Sequence, residues 1–225
     1  MIGPFALAVL DMAGTTVRDD GAVDEAFTFA LTNAGVAPDS EQFATARQYV
    51  LDTMGQSKAD VFAALLDHDA AVTATDDFAG AYERIVAEGR IEAIDGALDT
   101  IDTLRAQGVQ VCLTTGFAPS TRDALLEHLG WASHIDLALS PADVGRGRPE
   151  PDLIFGAMAR LGVPDAEAVV VVGDTTSDLE AGTKSGARAV VGVLTGAHDR
   201  ATLATAAHTD LIDDITYLIG VLARY

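Results

Sequence analysis

Asp11 is the residue best placed to do chemistry. It ends an apolar run, Phe5-Ala6-Leu7-Ala8-Val9-Leu10, and opens the turn Asp11-Met12-Ala13-Gly14-Thr15-Thr16-Val17. A buried strand that delivers a carboxylate into a Gly-Thr turn suits a nucleophile aimed at phosphorus. The carboxylate attacks, the turn's N–H groups and the hydroxyls of Thr15 and Thr16 hold phosphoryl oxygens, and a cation offsets the charge. Two more polar clusters follow apolar runs. Thr114-Thr115-Gly116 follows Val109-Gln110-Val111-Cys112-Leu113, and Gly173-Asp174-Thr175-Thr176-Ser177-Asp178 follows the Val-rich stretch 168–172. In open parallel sheets, ligands bind beyond the carboxyl ends of the strands, so three strand ends can meet at one site. Taken singly, each cluster could equally cap the helix after it.

Lysine usage adds a second chemistry. Among 14 basic side chains only Lys58 and Lys184 are lysines. Lysine, unlike arginine, can lose its proton and attack a carbonyl. Ser57-Lys58-Ala59-Asp60 reads as a capping box, with Ser57 as N-cap and Asp60 at N3. That places Lys58 in the first turn of a helix, where the macrodipole disfavours a cation, while Asp60 opposes the effect. Lys184 falls in the helix after the last cluster and reads as solvated.

The elements that must position these groups alternate. Strands at 5–11, 109–113, 135–139, 168–172 and 189–193 are separated by helical text, a pattern that indicates a parallel sheet covered on both faces. The alternation breaks once. From Asp24 to about Gly89 the text is helical, with helices expected at 24–33, 40–53, from Ser57, and at 76–88. We therefore expect an α/β protein: a Rossmann-like core formed by 1–19 and 92–225, and an inserted all-helical cap formed by 20–91.

Composition bounds the rest. The 225 residues are 49% hydrophobic, enough for one sizeable domain with an insertion, and no apolar run has the length of a spanning helix. A net charge of −20 argues against nucleic acid or an anionic membrane as partner. The single cysteine, Cys112, excludes an internal disulfide and reads as core. No basic stretch precedes the first apolar segment, so a signal peptide is not expected and the cytoplasm is the default location. The five histidines show no metal-ligand spacing.

In this order the clusters resemble the four motifs of the haloacid dehalogenase superfamily of phosphotransferases: Asp11 to Val17, Thr115-Gly116, Arg148 in Gly147-Arg148-Pro149-Glu150-Pro151-Asp152, and Gly173 to Asp178. The resemblance covers nearly the whole chain. It implies that Asp11 becomes an aspartyl phosphate, and that Asp11, the carbonyl of Ala13 and Asp174 hold Mg²⁺ with Asp178 in support. It further implies that Thr115, Gly116 and nearby backbone N–H groups bind phosphoryl oxygens. Arg148 would offset charge around the nucleophile.

Three departures narrow the resemblance. Phosphomonoesterases of the superfamily usually carry an aspartate two positions after the nucleophile, where this chain has Ala13. The usual lysine of the third motif is Arg148. The helical insertion carries Met54-Gly55-Gln56-Ser57-Lys58. Together these are similar to the phosphonatase group, in which a lysine after Met-Gly forms a Schiff base with the substrate aldehyde. Lys58 matches that lysine, and Met54 and Phe117 would line the pocket. The chemistry is coherent, because a protonated imine is an electron sink for a breaking C–P bond and no alkoxide needs the acid missing at position 13. The group's histidine three residues after the lysine is Val61 here, and its tyrosine after Thr-Gly is Phe117, which implies a drier pocket.

The expected function is Mg²⁺-dependent C–P cleavage of a 2-oxoalkylphosphonate such as phosphonoacetaldehyde. A phosphomonoesterase acting on a small phosphate ester is the first alternative, and a non-catalytic binding protein on the same scaffold is the second. The expected partner is a small phosphonate or phosphate. The resemblance also implies a homodimer formed through the cap.

Overall fold

The computed structural model describes residues 2–225. Its elements follow the alternation in the sequence. Strand β1 (Leu7–Asp11) leads to the short β2 (Val17–Arg18). Helices α1 (Ala22–Asn33), α2 (Glu41–Asp52), α3 (Lys58–Leu65) and α4 (His68–Ala87) come next, and β3 (Glu92–Ala93) pairs antiparallel with β2. The two-stranded ribbon thus closes the base of a purely helical insertion. Beyond it run α5 (Ala97–Ala106), β4 (Gln110–Thr114), α6 (Pro119–Leu129), β5 (Leu137–Leu139), α7 (Asp152–Leu161), β6 (Val169–Gly173), α8 (Thr176–Ser185), β7 (Ala189–Val193), α9 (Arg200–Leu203), β8 (Asp210–Ile212) and α10 (Leu218–Leu222).

The main sheet is parallel throughout, in the order β5-β4-β1-β6-β7-β8. From β1 the chain moves outward to β4 and β5, then returns to the other side of β1 for β6 to β8. The order therefore reverses at β1, which places the crevice of an open α/β sheet at the Asp11 end of that strand. Alternation of side chains sends successive strand residues to opposite faces. Ala8 and Leu10 join a core that continues through α5 and α10 into the helical insertion, whereas Leu7 and Val9 pack with Cys112, Val169 and Val171 against Leu153, Ile154 and Ala157 of α7. Burial on both faces explains why β1 and β6 read as unbroken apolar runs.

Three local expectations need correction. Helix α4 starts at His68, two turns before the expected 76, because the Asp67 carboxylate caps it by accepting from the Ala70 N–H at 3.0 Å. The β-branched Val72, Thr73 and Thr75 weaken the helical signal there, but packing against α1 and α3 outweighs it. Ser57 caps α3 through its hydroxyl, which accepts from the Asp60 N–H, but the reciprocal contact of a capping box is not formed. Strand β5 spans Leu137–Leu139, shorter than the expected 135–139. Among the described residues, no helix is long and apolar enough to cross a membrane.

Candidate active site

The first turn is built by backbone hydrogen bonds that leave the buried Asp11 carboxyl available to groups from other strand ends. The Met12 carbonyl accepts from the N–H groups of Thr15, Thr16 and Val17, and the Gly14 N–H donates to the Val17 carbonyl at 2.7 Å. Gly14 sits at φ 88°, where a side chain is strained, and a Cβ there would meet the Asp174 carboxylate at 2.5 Å. The turn therefore wraps closely around Asp174. Thr16 donates its hydroxyl to the Asp11 carbonyl at 2.9 Å, and Thr15 donates to Asp174 Oδ1 at 3.3 Å. Thr16 thus bonds within the turn and Thr15 ties the turn to Asp174, and neither is among the residues lining the small cavity described below.

Three strand ends bring their polar groups to this turn. Asp11 ends β1 and Asp174 follows β6, while Thr115 follows β4 with its hydroxyl accepting from the Phe117 N–H at 3.1 Å. Arg148 is 6% exposed, and its Nη1 donates to Asp11 Oδ1 at 2.5 Å and to Asp178 Oδ1. Asp178 is oriented in turn by the N–H and hydroxyl of Thr175, at 3.1 and 2.5 Å. Burial works against the Arg148 charge, but Asp11 and Asp178 hold its proton more firmly than usual. One guanidinium thus bridges two buried carboxylates, the arrangement that best repays burying either partner.

The helical insertion meets the core through backbone. The Lys58 N–H donates to the Gly116 carbonyl at 3.1 Å. A Cβ at Gly116 would collide with the Gln56 carbonyl, and one at Gly55 would collide with the Thr175 hydroxyl. The two glycines allow the loop after α2 to lie directly on the strand ends. Lys58 itself is 6% exposed. Its Nζ lies 5.4, 5.8 and 5.5 Å from the ring centres of Phe27, Phe78 and Phe117. Burial, reinforced by Arg148, lowers its pKa to about 8, while Asp11, Asp19 and Asp174 resist that fall. Asp60, expected to be the opposing charge, is not among these groups.

A cavity of about 30 Å³ sits where these groups converge. It is lined by Asp11, Ala13, Lys58, Thr115, Gly116, Phe117, Arg148 and Asp174, with Met54, Gly55, Val23, Thr175 and Ala197 completing the wall. A larger cleft of about 740 Å³ adjoins it through Ala13, Val23, Met54, Asp174 and Ala197, and opens past Arg18 and Asp19. The reactive groups face the small cavity, so the larger cleft reads as its approach.

The donor set fits a hard cation. Burial raises the Asp11 pKa to about 6, with Arg148 opposing and Asp178 adding to the rise. Asp174 is raised well above the usual carboxylate range by burial first and then by Asp11 and Asp178. Carboxylates raised in this way mark a place short of positive charge. Oxygen donors from Asp11, Asp174 and the Ala13 carbonyl suit Mg²⁺, which binds few protein ligands and keeps its waters. Among the described residues no three His, Cys, Asp or Glu side chains converge as a ligand cluster. A set of two carboxylates and one carbonyl does not require one.

Several lining groups were not singled out from sequence. Asp19 is half-buried, is raised by burial, and faces Lys58. Thr175 carries its own signal, since it is the N-cap of a capping box with Asp178. His198 accepts from the Thr176 N–H at 3.0 Å through Nδ1, a role at a helix start consistent with its lack of metal spacing. Cys112 is fully buried, as expected for core.

Comparison with known proteins agrees with this architecture. The family model for haloacid dehalogenase-like hydrolases matches residues 5–186. Phosphonoacetaldehyde hydrolase of Bacteroides fragilis is 34% identical over 111 residues, which is 49% of this chain and 42% of the relative's own length, so the match spans less than half of that protein. A Dickeya dadantii protein named "Probable phosphatase IndB" is 26% identical over 219 residues, covering 95% of this chain and 92% of that one. The crystal structure of a phosphonoacetaldehyde hydrolase-like protein from Oleispira antarctica superposes with a TM-score of 0.80 at 24% identity, over 99% of this chain and 95% of the other, and speaks for the fold. The chain belongs to the haloacid dehalogenase-like hydrolase family.

Proposed function

We propose that this hydrolase cleaves the carbon–phosphorus bond of a 2-oxoalkylphosphonate, phosphonoacetaldehyde being the simplest, using a Schiff base on Lys58 and a phosphoryl group carried by Asp11. The observation that carries the reading is the Lys58 amine. It is buried in an aromatic cage, has a pKa lowered to about 8, and lines the same small cavity as Asp11 and Arg148. A lysine needed only to bind phosphate would gain nothing from a site that disfavours its charge.

The residues divide the work as follows. Lys58 condenses with the substrate carbonyl and converts it to an iminium. Asp11 attacks phosphorus, forming an O–P bond, while the C–P bonding pair moves into the iminium and leaves an enamine. Arg148 holds Asp11 in place and stays charged throughout, so it does not compete for the carbonyl. Thr115 and the N–H groups beside it orient the phosphoryl oxygens. Water then cleaves the aspartyl phosphate, and protonation and hydrolysis of the enamine free the carbonyl product and Lys58. Mg²⁺, when bound to Asp11, the Ala13 carbonyl and Asp174 with Asp178 in support, supplies the positive charge that the phosphoryl group requires. Ala13 supports the reading, because no alkoxide departs and no acid is needed at that position. The adjoining cleft gives the substrate a way in, and contact between the helical insertion and the strand ends keeps bulk water from the reacting groups.

The test is phosphate release from phosphonoacetaldehyde with Mg²⁺, run beside a panel of phosphate esters, for the wild type and Lys58→Arg. Release from the phosphonate that disappears in the variant supports the reading. A second reading, phosphomonoester hydrolysis, draws support from the Dickeya relative, whose match covers most of both chains. Ester hydrolysis that survives Lys58→Arg, with no phosphonate cleavage by wild type, would replace the first reading with the second.

A further inference from the structure

We propose that Tyr82 is a catalytic residue of this site, whose hydroxyl donates a hydrogen bond to the substrate's carbonyl oxygen while Lys58 attacks the carbonyl carbon. The inference rests on the Schiff-base reading above and adds to it the group that activates the carbonyl.

Tyr82 lies on α4, and its hydroxyl is the unusual feature. The side chain is fully buried, yet the hydroxyl has no hydrogen-bond partner among the described residues. Buried tyrosine hydroxyls nearly always find one, and an orphan in a native fold points to a partner that comes and goes. Tyr82 is not itself in the cavity wall, but it packs on Phe117, which is. The Tyr82 ring contacts Phe117 at 4.6 Å between centres and stacks on Phe78 at 6.1 Å, and both of those rings form the cage around the Lys58 nitrogen. The carboxylates of Asp19 and Asp11, which also face Lys58, act on Tyr82 and add to the effect of burial in holding its proton on. The hydroxyl therefore keeps its proton and is free of protein partners to donate it to a ligand.

The aromatic cage around the Lys58 nitrogen offers no other donor for that oxygen. Phe27, Phe78 and Phe117 present only carbon to the Lys58 nitrogen. Arg148 Nη1 is committed to Asp11 and Asp178, with Arg148 Nε left without a partner, and the Thr115 hydroxyl, which accepts from the Phe117 N–H, keeps its own proton for the phosphoryl oxygens. Imine formation needs help at oxygen, because the carbonyl π pair moves there as the C–N bond forms. The step balances without an outside proton: ammonium plus carbonyl yields iminium plus water, two of the three ammonium protons leaving with the oxygen. Tyr82 stabilises the developing charge and ends the step still protonated.

Tyr82→Phe isolates the hydroxyl, since the ring packing remains and no protein hydrogen bond is lost. Wild type and variant are mixed with phosphonoacetaldehyde, quenched with borohydride at timed intervals, and digested to quantify the reduced adduct on Lys58. We expect adduct formation slowed by about 100-fold in Tyr82→Phe, the scale of losing one preorganised donor, with a thermal midpoint at or above that of wild type. Adduct formation at the wild-type rate overturns the inference and leaves the Schiff-base reading standing. Slower adduct formation with a lowered midpoint assigns Tyr82 to packing and also overturns it. No adduct in wild type overturns the Schiff-base reading, and this inference with it.

Discussion

Replacing Lys58 with methionine should inactivate the protein and stabilise it. The site lowers the Lys58 pKa from 10.5 to about 8, chiefly by burial. At 1.36 kcal/mol per pH unit, holding the ammonium there costs about 3 kcal/mol relative to the unfolded chain. The sign follows from proton counting. Below pH 8 the ammonium is present in both states, and the folded state carries the whole cost. Between pH 8 and 10.5 the unfolded chain retains a proton that the folded protein has released, so folding stability rises with pH across that window. Methionine has a similar reach, carries no charge and suits the faces of Phe27, Phe78 and Phe117. In EDTA at pH 7, Lys58→Met should be more stable than wild type by up to about 3 kcal/mol, roughly 6–12 °C in thermal midpoint for a chain of this size. The gap should shrink as pH climbs from 8 to 10.5. Urea titrations at several pH values measure it directly. A variant no more stable than wild type at pH 7, or a gap that ignores pH, would refute the claim that Lys58 is held against its charge.

Three further outcomes are expected. Asp19→Asn removes a carboxylate that supports the Lys58 ammonium, so the midpoint of the pH–rate profile for imine formation should fall below about 8; an unchanged midpoint would remove Asp19 from the site. Mg²⁺ should raise the thermal midpoint of wild type, and Asp174→Asn should abolish that response while leaving the EDTA form at least as stable, because a raised carboxylate has been removed. A Mg²⁺ response that persists in the variant would place the ion elsewhere. Gly116→Ala should cut activity at least 10-fold, the scale of misplacing catalytic groups by an ångström or less, because its Cβ would displace the Gln56 backbone and with it Lys58; full activity would show that the contact between insertion and core is dispensable.

Much of the site is legible in the chain because its groups sit at strand ends. Asp11, Thr115 and Asp174 each follow an apolar run, and a parallel sheet whose order reverses at β1 brings those ends together. Lys58 is flagged by the scarcity of lysine and by its place at a helix start, but Arg148 is legible only through its motif, since nothing in periodicity places a loop guanidinium between two carboxylates. The aromatic cage is only partly legible: Phe117 is marked by its place after Thr-Gly, whereas Phe27 and Phe78, from α1 and α4, each read as ordinary core. Tyr82 and Asp19 are hidden for the same reason, because their meaning lies in what they face. The structural bonds of Thr15 and Thr16 are hidden too, because a hydroxyl's partner across the fold, here Asp174 for Thr15 and the Asp11 carbonyl for Thr16, is not written in the local sequence.

Whether Lys58 does covalent chemistry is decided by borohydride reduction with phosphonoacetaldehyde, followed by peptide mass mapping. One reduced adduct is expected, located on Lys58, absent from Lys58→Arg, and accompanied by phosphate release when Mg²⁺ is present. An unmodified Lys58 in folded protein that binds Mg²⁺ would contradict it.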